Sequence, residues 1–121
     1  MKTILTSTII LLLFAGSLSA QNVYSVSVAA NAGSLLQKTE IANDPEIIIT
    51  ELSISINSFI FIYLNSEGNL IDFPSSNNNF TQTMFNAIAD PNVKYFWIDE
   101  AVFMFNGTQY TAATKKIELS D

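Results

Sequence analysis

Glu46-Ile-Ile-Ile-Thr-Glu-Leu-Ser-Ile-Ser-Ile-Asn-Ser-Phe-Ile-Phe-Ile-Tyr-Leu64 is the most strand-like stretch of the chain. Ile47, Ile48 and Ile49 open it, and Leu52, Ile54 and Ile56 then alternate with Glu51, Ser53 and Ser55, the period-two signature of a half-buried strand. Asn57-Ser58 interrupts the alternation. Beyond it Phe59, Phe61 and Tyr63 point one way and Ile60, Ile62 and Leu64 the other, so residues 59–64 are apolar on both faces and read as a central strand. β-Branched and aromatic residues fit a pleated surface better than a helix. The fold class expected is mainly β with one short helix, a small antiparallel β-sandwich-like single domain, with an α+β arrangement as the alternative.

Upstream of this stretch, V-Y-S-V-S-V-A-A at residues 23–30 sets Tyr24, Val26 and Val28 on one side and Ser25 and Ser27 on the other. That predicts a first strand with one wet face. Asn31-Ala32-Gly33-Ser34 breaks it, residues 35–42 are ambiguous between helix and strand, and Asn43-Asp44-Pro45 punctuates the chain because the residue before proline is pushed out of the α region. Downstream, residues 65–69 carry turn chemistry with Gly68 able to take positive φ, residues 70–73 start a return strand, and residues 74–79 form a polar loop. Thr81 is placed as a helix N-cap, with Phe80, Met84, Ala87 and Ile88 at helical spacing and Asp90-Pro91 as the stop. Residues 93–105 return to strand composition, broken by Asp99-Glu100, and Asn106-Gly107 is a two-residue hairpin turn leading into closing strands over residues 108–119.

At the N-terminus Lys2, the apolar run at residues 9–14 and the small residues Ala15, Gly16, Ser17, Ser19 and Ala20 form the three parts of a secretory signal. Its apolar core is shorter than the roughly 20 residues a membrane span needs. Residues 1–20 are thus expected to be a signal peptide, cut after Ala20 or after Ser19, and residues 21–121 a single β-rich extracytoplasmic domain. The location expected is periplasmic or secreted, with no stable membrane insertion after cleavage. About 100 residues suffice to bury one core without staples, and with no Cys the chain has neither disulfides nor a lipidated Cys anchor.

The charge is acidic. Eleven Asp and Glu stand against five Lys and Arg, all five of them Lys, for a net −6; removing Lys2 with the signal leaves 4 against 11, or −7. Such a surface repels phosphate backbones and anionic lipid, which argues against nucleic-acid partners.

The chain contains no His and no Cys, so the common zinc, triad and thiolate sites are closed to it. Asp99-Glu100 beside Trp97 could imitate a glycosidase acid, but adjacent strand residues point to opposite faces and cannot form a facing carboxylate pair. Asn65, Glu67, Asn69 and Asp72 gather oxygen ligands of the kind calcium takes, yet lack the acidic density of a calcium loop and read as an ordinary hairpin. No catalytic, cofactor or metal residues are assigned, and the chain is not expected to be an enzyme.

Asn79-Phe80-Thr81, Tyr95-Phe96, Asn106-Gly107-Thr108 and Ile117-Glu118-Leu119, in that order behind a long alternating strand, resemble the C-terminal domain of the gliding-motility protein GldM. The likeness covers about the last 70 residues and consists of fold markers, without the family's membrane helix or its earlier extracytoplasmic domains. It implies a β-rich extracytoplasmic domain that acts by protein contact in the setting of the type IX secretion and gliding machinery, as an accessory or a decoy.

Phe59, Phe61, Tyr63, Tyr95, Phe96, Trp97, Phe103 and Phe105 crowd strands that are apolar on both faces, more than one short helix covers. A second sheet layer or an open docking patch must take the remainder. Tyr95, Trp97, Phe103 and Phe105 are the expected partner-binding residues, for another envelope protein or a second copy. The competing reading is a secreted glycan or small-ligand binder that stacks its ligand on exposed aromatics.

Overall fold

A computed structural model describes residues 23–121. The signal segment assigned to residues 1–20 lies outside the described residues. Among the described residues nine strands and two helices follow one another as β1 (Val26–Val28), β2 (Leu35–Gln37), α1 (Lys38–Asn43), β3 (Ile47–Ile49), β4 (Ile54–Ser55), β5 (Ser58–Leu64), β6 (Leu70–Ser75), α2 (Gln82–Ala89), β7 (Tyr95–Phe105), β8 (Thr108–Thr111) and β9 (Lys115–Ser120). The fold is mainly β, as the alternation predicted, in two sheets. The expected single helix is joined by a second, α1, formed by the stretch that read ambiguously.

The small sheet has the order β1-β3-β4, and the large one β2-β9-β7-β5-β6 with β8 also on β7. All pairs are antiparallel except β2 with β9, which is parallel. As the doubly apolar pattern required, β5 is internal, between β7 and β6. β8 and β9 are one run interrupted at residues 112–114, so both pair with β7, at Val102 to Phe105 and at Tyr95 to Ile98 respectively.

The core fills the space between the sheets. Val26, Val28, Ile47 and Ile49 from the small sheet meet Phe59, Phe61, Phe96, Ile98, Phe103 and Ile117 from the large one, and Ile41 of α1 with Met84 and Ile88 of α2 close the same layer. Phe61 is the centre of an aromatic cluster, stacked on Phe96 at 4.8 Å between ring centroids and edge-on to Phe80 at 6.0 Å. Offset and edge-to-face rings of this kind add about 0.5–1.5 kcal/mol per pair beyond burial. α2 starts where Thr81 Oγ1 accepts from the Met84 N–H, at 3.4 Å, and ends at Asp90.

Two local expectations are corrected. The run from residue 46 to 56 is not one alternating strand: residues 50–53 turn, with Ser53 at φ 55°, and divide it into β3 and β4. The polar side of the first strand is only partly wet, at Ser25. Ser27 is buried, because β3 pairs with it and Thr50 Oγ1 lies 2.7 Å from its hydroxyl, which satisfies the group that water would otherwise hold.

Candidate functional site

β7 decides where the aromatic side chains go. Phe96 and Ile98 are buried, then Ala101 and Phe103, so the inward parity switches from even to odd. The switch is a β-bulge. Glu100 adopts φ 47°, and between Ser58 and Ile60 of β5, two residues apart, the partner register on β7 advances three, from Val102 to Asp99. A charged side chain at this position stays in water while its backbone absorbs the extra residue.

The bulge separates the four candidate residues into two pairs. Tyr95 and Trp97 lie before it and face away from the core, half-buried, with ring centroids 5.2 Å apart and planes at 76°. Phe103 lies after it and is fully buried, stacked on Tyr110 at 5.5 Å and edge-on to Tyr24 at 5.2 Å. Phe105 is half-buried against the same core. The sequence spacing places all four on one face; the extra residue rotates Phe103 and Phe105 inward, and only Tyr95 and Trp97 are surface candidates.

Around Tyr95 and Trp97 the sheet register assembles neighbours that a linear reading does not connect. Ile62 stands directly across from Trp97 and Ile60 across from Asp99 on β5, while Lys116 and Glu118 stand across from Trp97 and Tyr95 on β9. Asp72 and Leu70 of β6 complete the far side, opposite Ile62 and Leu64. Ile60, Ile62 and Leu64 are only half-buried, and at the two margins Leu35 is 63% and Leu70 65% exposed. Both helices and the small sheet lie on the opposite side, so among the described residues nothing covers this face. Contiguous apolar patches rimmed by polar residues mark interaction surfaces when they are large and exposed.

Charges frame the apolar centre. The Lys116 ammonium sits 4.3 Å from the Tyr95 ring centroid, a cation–π contact, and the Thr114 hydroxyl donates to Asp99 at 2.7 Å. Asp72, Lys116 and Glu118 are exposed.

Elsewhere, a groove of about 530 Å³ runs between α1 and α2, floored by Phe85, Ile88 and Ala89, but Lys38 is its one charged residue and already donates to the Asp90 carbonyl at 3.2 Å. The Asn65 turn is closed on itself, its Oδ1 accepting from the Glu67 and Asn69 N–H groups, both at 2.9 Å. Among the described residues no group of three or more carboxylates could hold a metal ion, and no helix is long and apolar enough to cross a membrane.

On the core-facing side of β9 Lys115 ties the sheets together, donating to the carbonyls of Val26 at 3.0 Å and Ala32 at 2.5 Å. Burial pushes its ammonium below the usual lysine range, against the pull of the Glu51 carboxylate. Glu51 itself is held below the usual glutamate range, mainly because it accepts from the Ser25 hydroxyl at 2.7 Å and from the Ser25 N–H at 2.9 Å. No protein-family model matches the chain, and a search of curated proteins finds no match to it.

Proposed function

We propose that this protein is a non-catalytic protein-binding module of the cell envelope, periplasmic or secreted, that docks through the open face of its large sheet. The observation that carries this reading is the half-covered apolar centre of Tyr95, Trp97, Ile60 and Ile62, left without a covering layer among the described residues. The signal-like residues 2–20 support export, and the likeness of the C-terminal half to the GldM C-terminal domain supports an accessory role beside the type IX secretion and gliding machinery. Aromatic anchors of this type dominate interface energetics once desolvated. The glycan-binding alternative is less well served, since rings at 76° to one another offer no flat two-ring platform for a sugar.

Capture from envelope extracts tests the reading. Tyr95→Ala and Trp97→Ala should each weaken capture by more than about 1 kcal/mol, or about fivefold, with an unchanged melting curve. Phe103→Ala should instead lower stability by about 3–5 kcal/mol, as deletion of a fully buried ring does. Capture indifferent to Tyr95 and Trp97, or binding of a soluble glycan with no protein partner, would replace this reading.

A further inference from the structure

The open face carries more than an apolar centre. Four residues stand side by side across β9, β7, β5 and β6: Lys116 opposite Trp97, Trp97 opposite Ile62, and Ile62 opposite Asp72. Directly opposed residues share a face, so all four lie on the open side. The row is a cation at one end and an anion at the other, with two large apolar side chains between. Rotated by half a turn about an axis parallel to the strands and midway between β7 and β5, the row is its own complement. Lys116 of one copy then falls over Asp72 of the other, Asp72 over Lys116, and Trp97 over Ile62 in both directions, which is the self-complementarity a two-fold interface demands.

We propose that the open face of the large sheet binds a second copy of this chain, the two sheets stacking face to face about that axis; this deepens the protein-binding reading and rests on it. A strongly basic partner would suit the net charge of −6 but would set Lys116 against like charge. A second copy satisfies both ends of the row. Asp99 and Glu118 occupy the flanking rows, Asp99 accepting from the Thr114 hydroxyl of its own chain at 2.7 Å. Four strands about 4.8 Å apart, each presenting about six residues at about 3.4 Å, give a projected footprint of about 400 Å². Stable complexes bury about 800 Å² per partner, so a contact of this footprint makes a weak, reversible dimer.

Sedimentation equilibrium of the purified protein, from about 10 to about 500 µM, tests this. Wild type should self-associate, and Asp72→Lys or Lys116→Asp alone should weaken association about tenfold, since each reversal sets two like-charged pairs face to face. An equal mixture of the two singly reversed chains should regain the affinity, because every Lys then meets an Asp, and so should the doubly reversed chain. Trp97→Ala should weaken all of them. Both charged positions are exposed, so their reversal leaves the fold intact. A wild type that stays monomeric over the whole range, or a dimer that ignores all three changes, overturns the inference. If the monomeric wild type still captures an envelope protein that Trp97→Ala releases, the protein-binding reading stands and the second copy falls; if Trp97→Ala affects neither, both fall.

Discussion

Two turns in this chain have the same backbone shape and opposite legibility. Asn106 and Gly107 take φ 51° and 79° between β7 and β8, and both residue types tolerate the left-handed region. Ala29 and Ala30 take φ 55° and 58° in a two-residue turn closed by the Val28 and Asn31 backbones, with Asn31 N–H donating to the Val28 carbonyl at 3.0 Å. Alanine pays about 1 kcal/mol for each such conformation. Gly107→Val should therefore lower the melting temperature by several degrees, and Ala30→Gly should raise it by a few, both read by calorimetry. Identical curves for Gly107→Val and wild type would contradict the turn. Glu51 makes a second prediction at this scale. Its carboxyl is held below its ordinary value by the Ser25 hydrogen bonds, so the stability it contributes is present above the ordinary glutamate value, about 4.3, and is lost as pH falls through its own lower value. The advantage of wild type over Glu51→Gln in urea melts should be largest near neutrality and shrink toward pH 3; an advantage that grows on acidification would reverse the assignment.

At the scale of the element, β7 is the strand on which the molecule turns. It pairs with β5 along one edge and with β9 and β8 in succession along the other, and its bulge sits opposite the break between those two. Small residues make this junction possible: Ala101 and Ala112 are both buried there, with the Ala112 N–H donating to the Ala101 carbonyl at 2.9 Å. Removing Glu100 would restore a continuous two-residue period with Phe96, Ile98, Ala101 and Phe103 all still inward, because the bulge residue is the one the alternation leaves out. The deletion should therefore keep thermal unfolding cooperative, whereas Glu100→Val, which sets a β-branched residue at φ 47°, should lower the melting temperature by several degrees. A Glu100→Val melt identical to that of wild type would contradict the bulge.

The whole molecule is an asymmetric sandwich. One face of the large sheet is sealed by a second sheet and two helices, and the other carries a half-covered apolar row between charged ends. An 11-residue strand with alternating apolar faces can serve both sides at once, and the helices, six and eight residues long, have too little surface to cover the second. The export proposal belongs to this scale as well. Mass spectrometry of protein recovered from the periplasm or medium should find a species beginning at Gln21 or Ala20, and an intact Met1 there would refute it.

Short-range chemistry was sufficient for some of this. The period-two stretch at residues 59–64 determined an internal strand, Asn106-Gly107 determined a hairpin, and Thr81 with Asp90-Pro91 bounded α2, because each depends on residues within a few positions of one another. The division of residues 47–55 into two strands and the turn at Ala29-Ala30 rest on backbone conformations that their side chains do not favour and that tertiary packing imposes. The face that gathers Lys116, Trp97, Ile62 and Asp72 was beyond any linear reading: those residues span 55 positions from first to last and meet only through the register of four strands. The same holds for Phe103, whose place in the core depends on a single extra residue at Glu100, since a strand's side chains alternate with a period of two and one inserted residue reverses every assignment beyond it.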